Sequence, residues 1–166
     1  EREVEPRELD VRDIIETELR FLEGNLFFKH QITQNILIAE NLPTVYGVYI
    51  DLSQVIGNLV RNAIDAMYES PKKQLTVKAY VVERYLVLQV ADTGMGISKE
   101  IQARIFEPFF TTKPKQCEAP EGAPAGTGLG LSSSRAILAR YGALIDVDSE
   151  EGMGTTFSVR FPIGRK

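Results

Sequence analysis

Val11, Ile14, Ile15, Leu19 and Leu22 recur at the spacing of one helix face, behind Asp10 as an N-cap and ahead of a break at Gly24. The pattern predicts a first helix. Ile32 to Glu40 is rich in β-formers and closes on Asn41-Leu42-Pro43, and a short strand is expected around Val45 to Tyr49. From Asp51 the residues Leu52, Val55, Ile56, Leu59, Val60, Ala63, Ile64 and Met67 cover half of a second helix, until Ser70-Pro71 stops it. Two alternating runs, Leu75/Val77/Ala79/Val81 and Leu86/Leu88/Val90, flank Glu83-Arg84 and predict an antiparallel hairpin with one buried face.

Lys99 to Phe106 is expected to hold a short helix. Leu129 to Tyr141 reads as a strong third helix ended by Gly142, and Leu144 to Asp148 with Thr155 to Phe161 as a last hairpin around Glu150-Glu151-Gly152. Between them Lys113 to Gly126, KPKQCEAPEGAPAG, has three prolines, two glycines and almost no large apolar residue, so it is expected to be a mobile loop. The order of elements predicts an α+β two-layer α/β sandwich: a mixed, mostly antiparallel sheet covered on one face by helices.

Length and composition narrow the classes. A chain of 166 residues suits one domain, residues 1–166, and the hydrophobic fraction of 43% is that of an ordinary globular protein. The net charge of −4 provides no global basic field for nucleic acid or an anionic membrane, so an anionic ligand must be held locally. A single cysteine, Cys117, excludes an internal disulfide and fits a reducing cytosol. No apolar run reaches the roughly 18 to 20 residues of a membrane span, and Glu1 to Asp10 is too charged for a signal peptide, so a cytoplasmic domain without direct membrane contact is expected.

Three constellations carry candidate chemistry. On the second helix Gln54, Asn58, Asn62 and Asp65 fall on one stripe. The stripe reads either as a solvated face or as a ligand face; asparagine is a poor helix former, and amide oxygens one turn apart suit a hard cation such as Mg²⁺ whose charge is balanced by phosphates. Asp92, in DTGMGI, continues the parity of Leu86, Leu88 and Val90 onto the core side, where Gly94 and Gly96 let the backbone turn. A buried carboxylate needs a donor, either the N–H groups of its own turn or the exocyclic amine of an adenine. Thr155 shares the buried parity of Phe157, Val159 and Phe161, so Asp92 and Thr155 are expected to line one polar spot.

The third constellation is GTGLGL, Gly126 to Leu131, at the start of a helix, where free N–H groups and close approach favour a phosphate. Phe106 to Lys113, FEPFFTTK, adds an aromatic turn ending in a lysine placed to reach an anion. There is no Gly-Lys-Ser/Thr, and DTGMGI lacks the third glycine of a dinucleotide fingerprint, so the Walker and Rossmann folds are excluded.

Taken in order, NLVRNAIDAM, DTGMGI, FEPFFTTK, GTGLGL and GMGTTF resemble the asparagine, glycine and phenylalanine boxes of sensor histidine kinases, from about Leu9 to Ile163. That family shares the Bergerat fold with DNA gyrase, the mismatch-repair protein MutL and heat-shock chaperones. The resemblance implies ATP and Mg²⁺ as ligands, with Asn62 on the metal and Asn58 beside it, and Asp92 on the adenine amine with Thr155 nearby. Gly94, Gly96 and Ile97 would form the base pocket, Gly126, Thr127, Gly128, Leu129 and Gly130 would wrap the phosphates, and residues 113–126 would be the ATP lid.

The sequence departs from the family in two places. Asp65 stands where many members carry a lysine or histidine; an aspartate there, within NAIDAM, looks more like the nitrogen-regulator subgroup, and Lys113 is the candidate to supply the missing positive charge. His30 is the only histidine and lies in FFKHQI, not in a phosphoacceptor context, so it is expected to be a surface or strand-edge residue.

In the ATPase members of the superfamily a glutamate four residues before the metal-ligating asparagine activates water; here that residue is Asn58, and an amide is no general base. Phosphoryl transfer to a neutral histidine needs mainly positioning and charge neutralisation, so the resemblance implies a kinase with Asn58, Asn62 and Lys113 at the reacting end. Its phosphoryl group would pass to a histidine on a separate dimerisation domain and then to a response regulator. A serine kinase of the anti-sigma-factor type, a MutL- or gyrase-like ATPase and a nucleotide-sensing module without transfer remain as alternatives.

Overall fold

Three of the helices begin where a polar side chain caps them. In the computed structural model, which describes residues 4–164, the Asp10 carboxylate accepts the Arg12 N–H at 2.8 Å and opens α1, Val11–Leu22. The first residues of the charged Glu1 to Asp10 segment lie outside the described residues, as do residues 165 and 166. Asn25 caps a short α2, Leu26–Gln31, and Ser98 caps α4, Lys99–Gln102. The long α3 runs Tyr49–Ala66 and α5 runs Gly130–Arg140.

The strands are β1 Arg7–Leu9, β2 Thr33–Ile38, β3 Val45–Gly47, β4 Gln74–Val82, β5 Tyr85–Asp92, β6 Leu144–Glu150 and β7 Gly154–Pro162. Five of them form one mixed sheet in the order β2-β4-β5-β7-β6, in which only the β2–β4 pairing is parallel; β1 and β3 pair separately and antiparallel. This is the expected α/β sandwich. One face of the sheet, carrying Leu75, Val77, Ala79, Leu88, Val90, Phe157 and Val159, is buried with the apolar faces of α1 and α3 in one core cluster. The opposite face is polar, with Gln89 Nε2 donating to Ser158 Oγ at 3.1 Å and Arg160 paired with Asp146 at 2.5 Å.

Several local expectations are corrected. The second helix starts at Tyr49, not Asp51, because Val48 at an extended φ of −93° already turns the chain without a side-chain cap. The helix expected from Lys99 to Phe106 stops at Gln102 and continues as turns. β1 and α2 were not expected at all. His30 is a surface residue, the first of its two expected placements, and sits in the last turn of α2 because Asn25 caps this one-and-a-half-turn helix through the Phe28 N–H at 3.1 Å.

Candidate functional site

Pairing register puts Asp92 at the end of β5 between Leu75 of β4 and Thr155 of β7, so the parity of the strand carries its side chain to the core face. It is 8% exposed and Thr155 4%. Asp92 Oδ1 accepts the Gly94 N–H at 2.8 Å, and the Thr155 N–H also supports the charge. Burial nonetheless dominates and pushes the Asp92 carboxyl up to about 6. The turn-capping role is thus realised. It does not use up the group, since a carboxylate offers about four acceptor positions.

The Thr155 hydroxyl, by contrast, pairs not with Asp92 but with Ser149 Oγ, at 2.7 Å, which also accepts the Ile97 N–H at 2.8 Å. Gln102 Nε2 donates to Ile97 O at 2.7 Å and Ser149 O at 3.0 Å, so β6, β7 and the 93–97 loop are fastened together around Ile97. Ser149 and Gln102 were missed in the sequence. The signal for Ser149 was present, since it shares the inward parity of Ile145 and Val147.

The loop after Asp92 runs tightly between α3 and the β6–β7 turn. Gly94 lies against Ala66, Met95 N–H donates to Ala66 O at 3.1 Å, and Gly152 N–H donates to Met95 O at 2.7 Å. Gly96 has φ +70°, and a Cβ there would fall 2.0 Å from Glu150 O, so no other residue fits without moving the hairpin. A groove of about 460 Å³ opens beside this loop, reaching from Ser70 to Met153, but Asp92, Asn62 and Lys113 do not line it.

At the other end of the site α3 presents Asn58, Asn62 and Asp65. Asn62 Oδ1 accepts from Lys113 Nζ at 3.1 Å, and the same ammonium meets Asp65 Oδ2 at 2.5 Å. Asn58 is differently engaged: Nδ2 donates to Gly130 O and to Ser134 Oγ, both at 3.2 Å, and Oδ1 accepts from Arg61 at 3.2 Å. Asn58 therefore ties α3 to the start of α5, through the fully buried Ser134. Gln54 is exposed and stands apart from this group.

α5 starts with neither a capping side chain nor an acidic residue in its first turn, unlike α1, α2 and α4, each of which has a side-chain cap. Its first N–H groups are left for another acceptor, the condition under which a helix N-terminus binds an anion. Before it, Gly128 takes φ +75° and accepts the Phe109 N–H at 3.0 Å; a Cβ there would meet the Phe109 carbonyl carbon at 2.4 Å. Thr127 and Leu129 are exposed, and Gly126 lies against Lys113 and Thr111. Residues 113–126 form turns without helix or strand.

A buried Asp92 beside Thr155 at one end, and at the other an uncapped α5 start tied to Asn58, one turn from Asn62 and Lys113, match the layout expected of a nucleotide-binding α/β sandwich. Residues 47–165 match the model of the histidine kinase-, DNA gyrase B-, and HSP90-like ATPase family, and the chain belongs to that family. Among its relatives are the sensor protein TdiS of Thauera aromatica, 30% identical over 93% of this chain, and the sensor kinase CckA of Brucella abortus, 36% identical over 95%. The chain spans 27% of the length of TdiS and 17% of that of CckA. The solved catalytic domain of histidine kinase ThkA superposes with a TM-score of 0.77 at 28% identity, covering 96% of each chain. Full-length ShkA in complex with AMPPNP superposes at 0.78 over 99% of this chain and 33% of that one, and at 23% identity it shows the fold alone. The chain is an ATP-binding catalytic domain of the histidine kinase kind. Among the described residues no helix is long and apolar enough to cross a membrane.

Proposed function

We propose that residues 1–166 act as one cytoplasmic Mg-ATP-binding unit that transfers the γ-phosphoryl group to a histidine on a separate dimerisation domain, from which it passes to a response regulator. The observation that carries this reading is the junction of α3 with the uncapped start of α5, where Asn62 and Lys113 adjoin the Asn58 tie. Asn62 fits a hard cation: its amide oxygen already faces an ammonium and retains a lone pair. Asn58 stands one turn away, and its amide oxygen, which accepts only from Arg61, would likewise keep a lone pair for the metal. When bound, Mg²⁺ would neutralise phosphate charge and orient the terminal phosphates.

The chain's own residues do the rest. The α5 N–H groups and the Gly126 to Gly130 backbone hold phosphate, Lys113 adds a cation, and Asp92 with Thr155, Gly94, Gly96 and Ile97 holds the base. With an amide at Asn58, itself engaged by three partners, the site has no carboxylate there to activate water, which favours transfer over hydrolysis. Incubation with labelled ATP and a panel of histidine-containing dimerisation domains tests this. Acid-labile label on the partner supports it; free phosphate released without a labelled partner would mean a hydrolase.

The 113–126 segment acts in this reading as the ATP lid. Limited proteolysis is expected to cut first near exposed Lys115 to Glu118, and a non-hydrolysable ATP analogue with Mg²⁺ is expected to slow that cleavage several-fold. Equal cleavage rates would remove the lid from the mechanism.

A further inference from the structure

Lys113 stands at the neck of the 113–126 segment. Its N–H donates to Thr111 Oγ1 at 3.0 Å, and Gly126 N–H donates to Pro114 O at 3.1 Å, so the two ends of the segment are tied where this side chain begins. From there the side chain crosses to α3 and its ammonium meets Asp65 and Asn62, with the Lys113 and Asp65 side chains only 27% and 28% exposed. A carboxylate one turn from Asn62 is awkward for a polyphosphate site. By charge counting alone it repels ATP, and removing it should tighten binding.

We propose that Asp65 is a positioning residue for the phosphate end of the site: it draws the Lys113 ammonium onto α3 beside Asn62 and so fixes the lid's cation where the terminal phosphate has to be met. This rests on the ATP-binding reading above. A lysine on a loop samples many rotamers, and ordering it on arrival of the nucleotide weakens binding. The ion pair with a rigid helix does that ordering beforehand, because Asp65 is fixed by the backbone of α3 and both ends of the segment are pinned at the same neck. Asn62 keeps the ammonium within reach of the metal position, and the Asp65 charge offsets the repulsion between the ammonium and a second cation there.

Calorimetric titration of the chain with Mg-ATP and Mg-ADP, for the unaltered sequence, Asp65→Asn, Lys113→Met and the double variant, tests this. Asp65→Asn is expected to weaken Mg-ATP about tenfold, the reverse of the sign from charge counting. The double variant should bind no more weakly than Lys113→Met alone, since Asp65 acts through the lysine. The preference for ATP over ADP should fall in all three, and Asp65→Glu, which keeps the charge, should recover most of the loss. Tighter ATP binding by Asp65→Asn, or losses that add in the double variant, overturn the proposal. So does a lowered melting temperature with nucleotide affinity unchanged, the result of a merely structural ion pair. Absence of Mg-ATP binding by the unaltered chain would overturn the proposed function itself, and this proposal with it.

Discussion

Asn62→Ala is expected to lower Mg²⁺-dependent ATP affinity by at least a hundredfold and to leave the fold intact. The side chain is half-buried near the C-terminal end of α3, where its amide oxygen bonds only the Lys113 ammonium. Alanine is the best helix former, so the helix itself gains up to about 0.7 kcal/mol from the change. Lys113 keeps Asp65 at 2.5 Å, so the neck of the 113–126 segment stays attached to α3. In the proposed reading, what disappears is a hard oxygen at the phosphate end of the site, and a Mg²⁺ that depends on few protein ligands is sensitive to each of them. Titration with ATP in excess Mg²⁺ and again in a chelator separates the effects: the mutant should bind the two alike, whereas the unaltered chain should bind far more tightly with Mg²⁺. Unchanged affinity in Mg²⁺ would reduce the stripe of Asn58, Asn62 and Asp65 to a helix face.

The elements that sequence periodicity made legible are those long enough to show a period. α3 shows five turns of one apolar face, and the β4–β5 and β6–β7 hairpins alternate over enough residues to fix which side is inward. That parity placed Asp92 and Thr155 on the core face, and applied to β6 it would have found Ser149 as well. β1 has three residues and α2 six, too few for any period, and β1 is a strand only because Val45 to Gly47 lies alongside it. The parallel β2–β4 pairing was illegible for another reason. It joins segments separated by the whole of α3, and no local pattern encodes that crossover. The same holds for Asp65. Its type was conspicuous in the sequence as a departure, but its partner is 48 residues away, and only the path of the neck of the 113–126 segment over α3 brings the two charges together.

Asp92→Asn is expected to make the chain more stable and a worse binder of ATP. The native carboxyl, pushed by burial to about 6 from an ordinary 3.8, is charged at pH 7.5 at a cost of about 3 kcal/mol relative to a normally solvated group. The stability this group contributes as a neutral acid is fully present below about pH 3.8 and is lost as pH rises through about 6. An asparagine there can still accept the Gly94 N–H and carries no charge to desolvate. The variant's gain in melting temperature should therefore be near zero at pH 4, grow between pH 4 and 6.5, and level off above it. ATP should reverse the order. Loss of a charged acceptor for the adenine amine should weaken ATP by about 1.5 to 3 kcal/mol, ten- to a hundredfold, while GTP, with a carbonyl in place of the amine, should lose little or gain. Thermal melts across pH with and without each nucleotide measure both halves. If the variant keeps its full preference for ATP over GTP, Asp92 serves only to cap its own turn, and the base is read by other groups of the 92–97 loop. If the native melting temperature shows no fall between pH 4 and 6.5 relative to the variant, the buried charge is compensated by the Gly94 and Thr155 N–H groups more fully than its raised pKa implies.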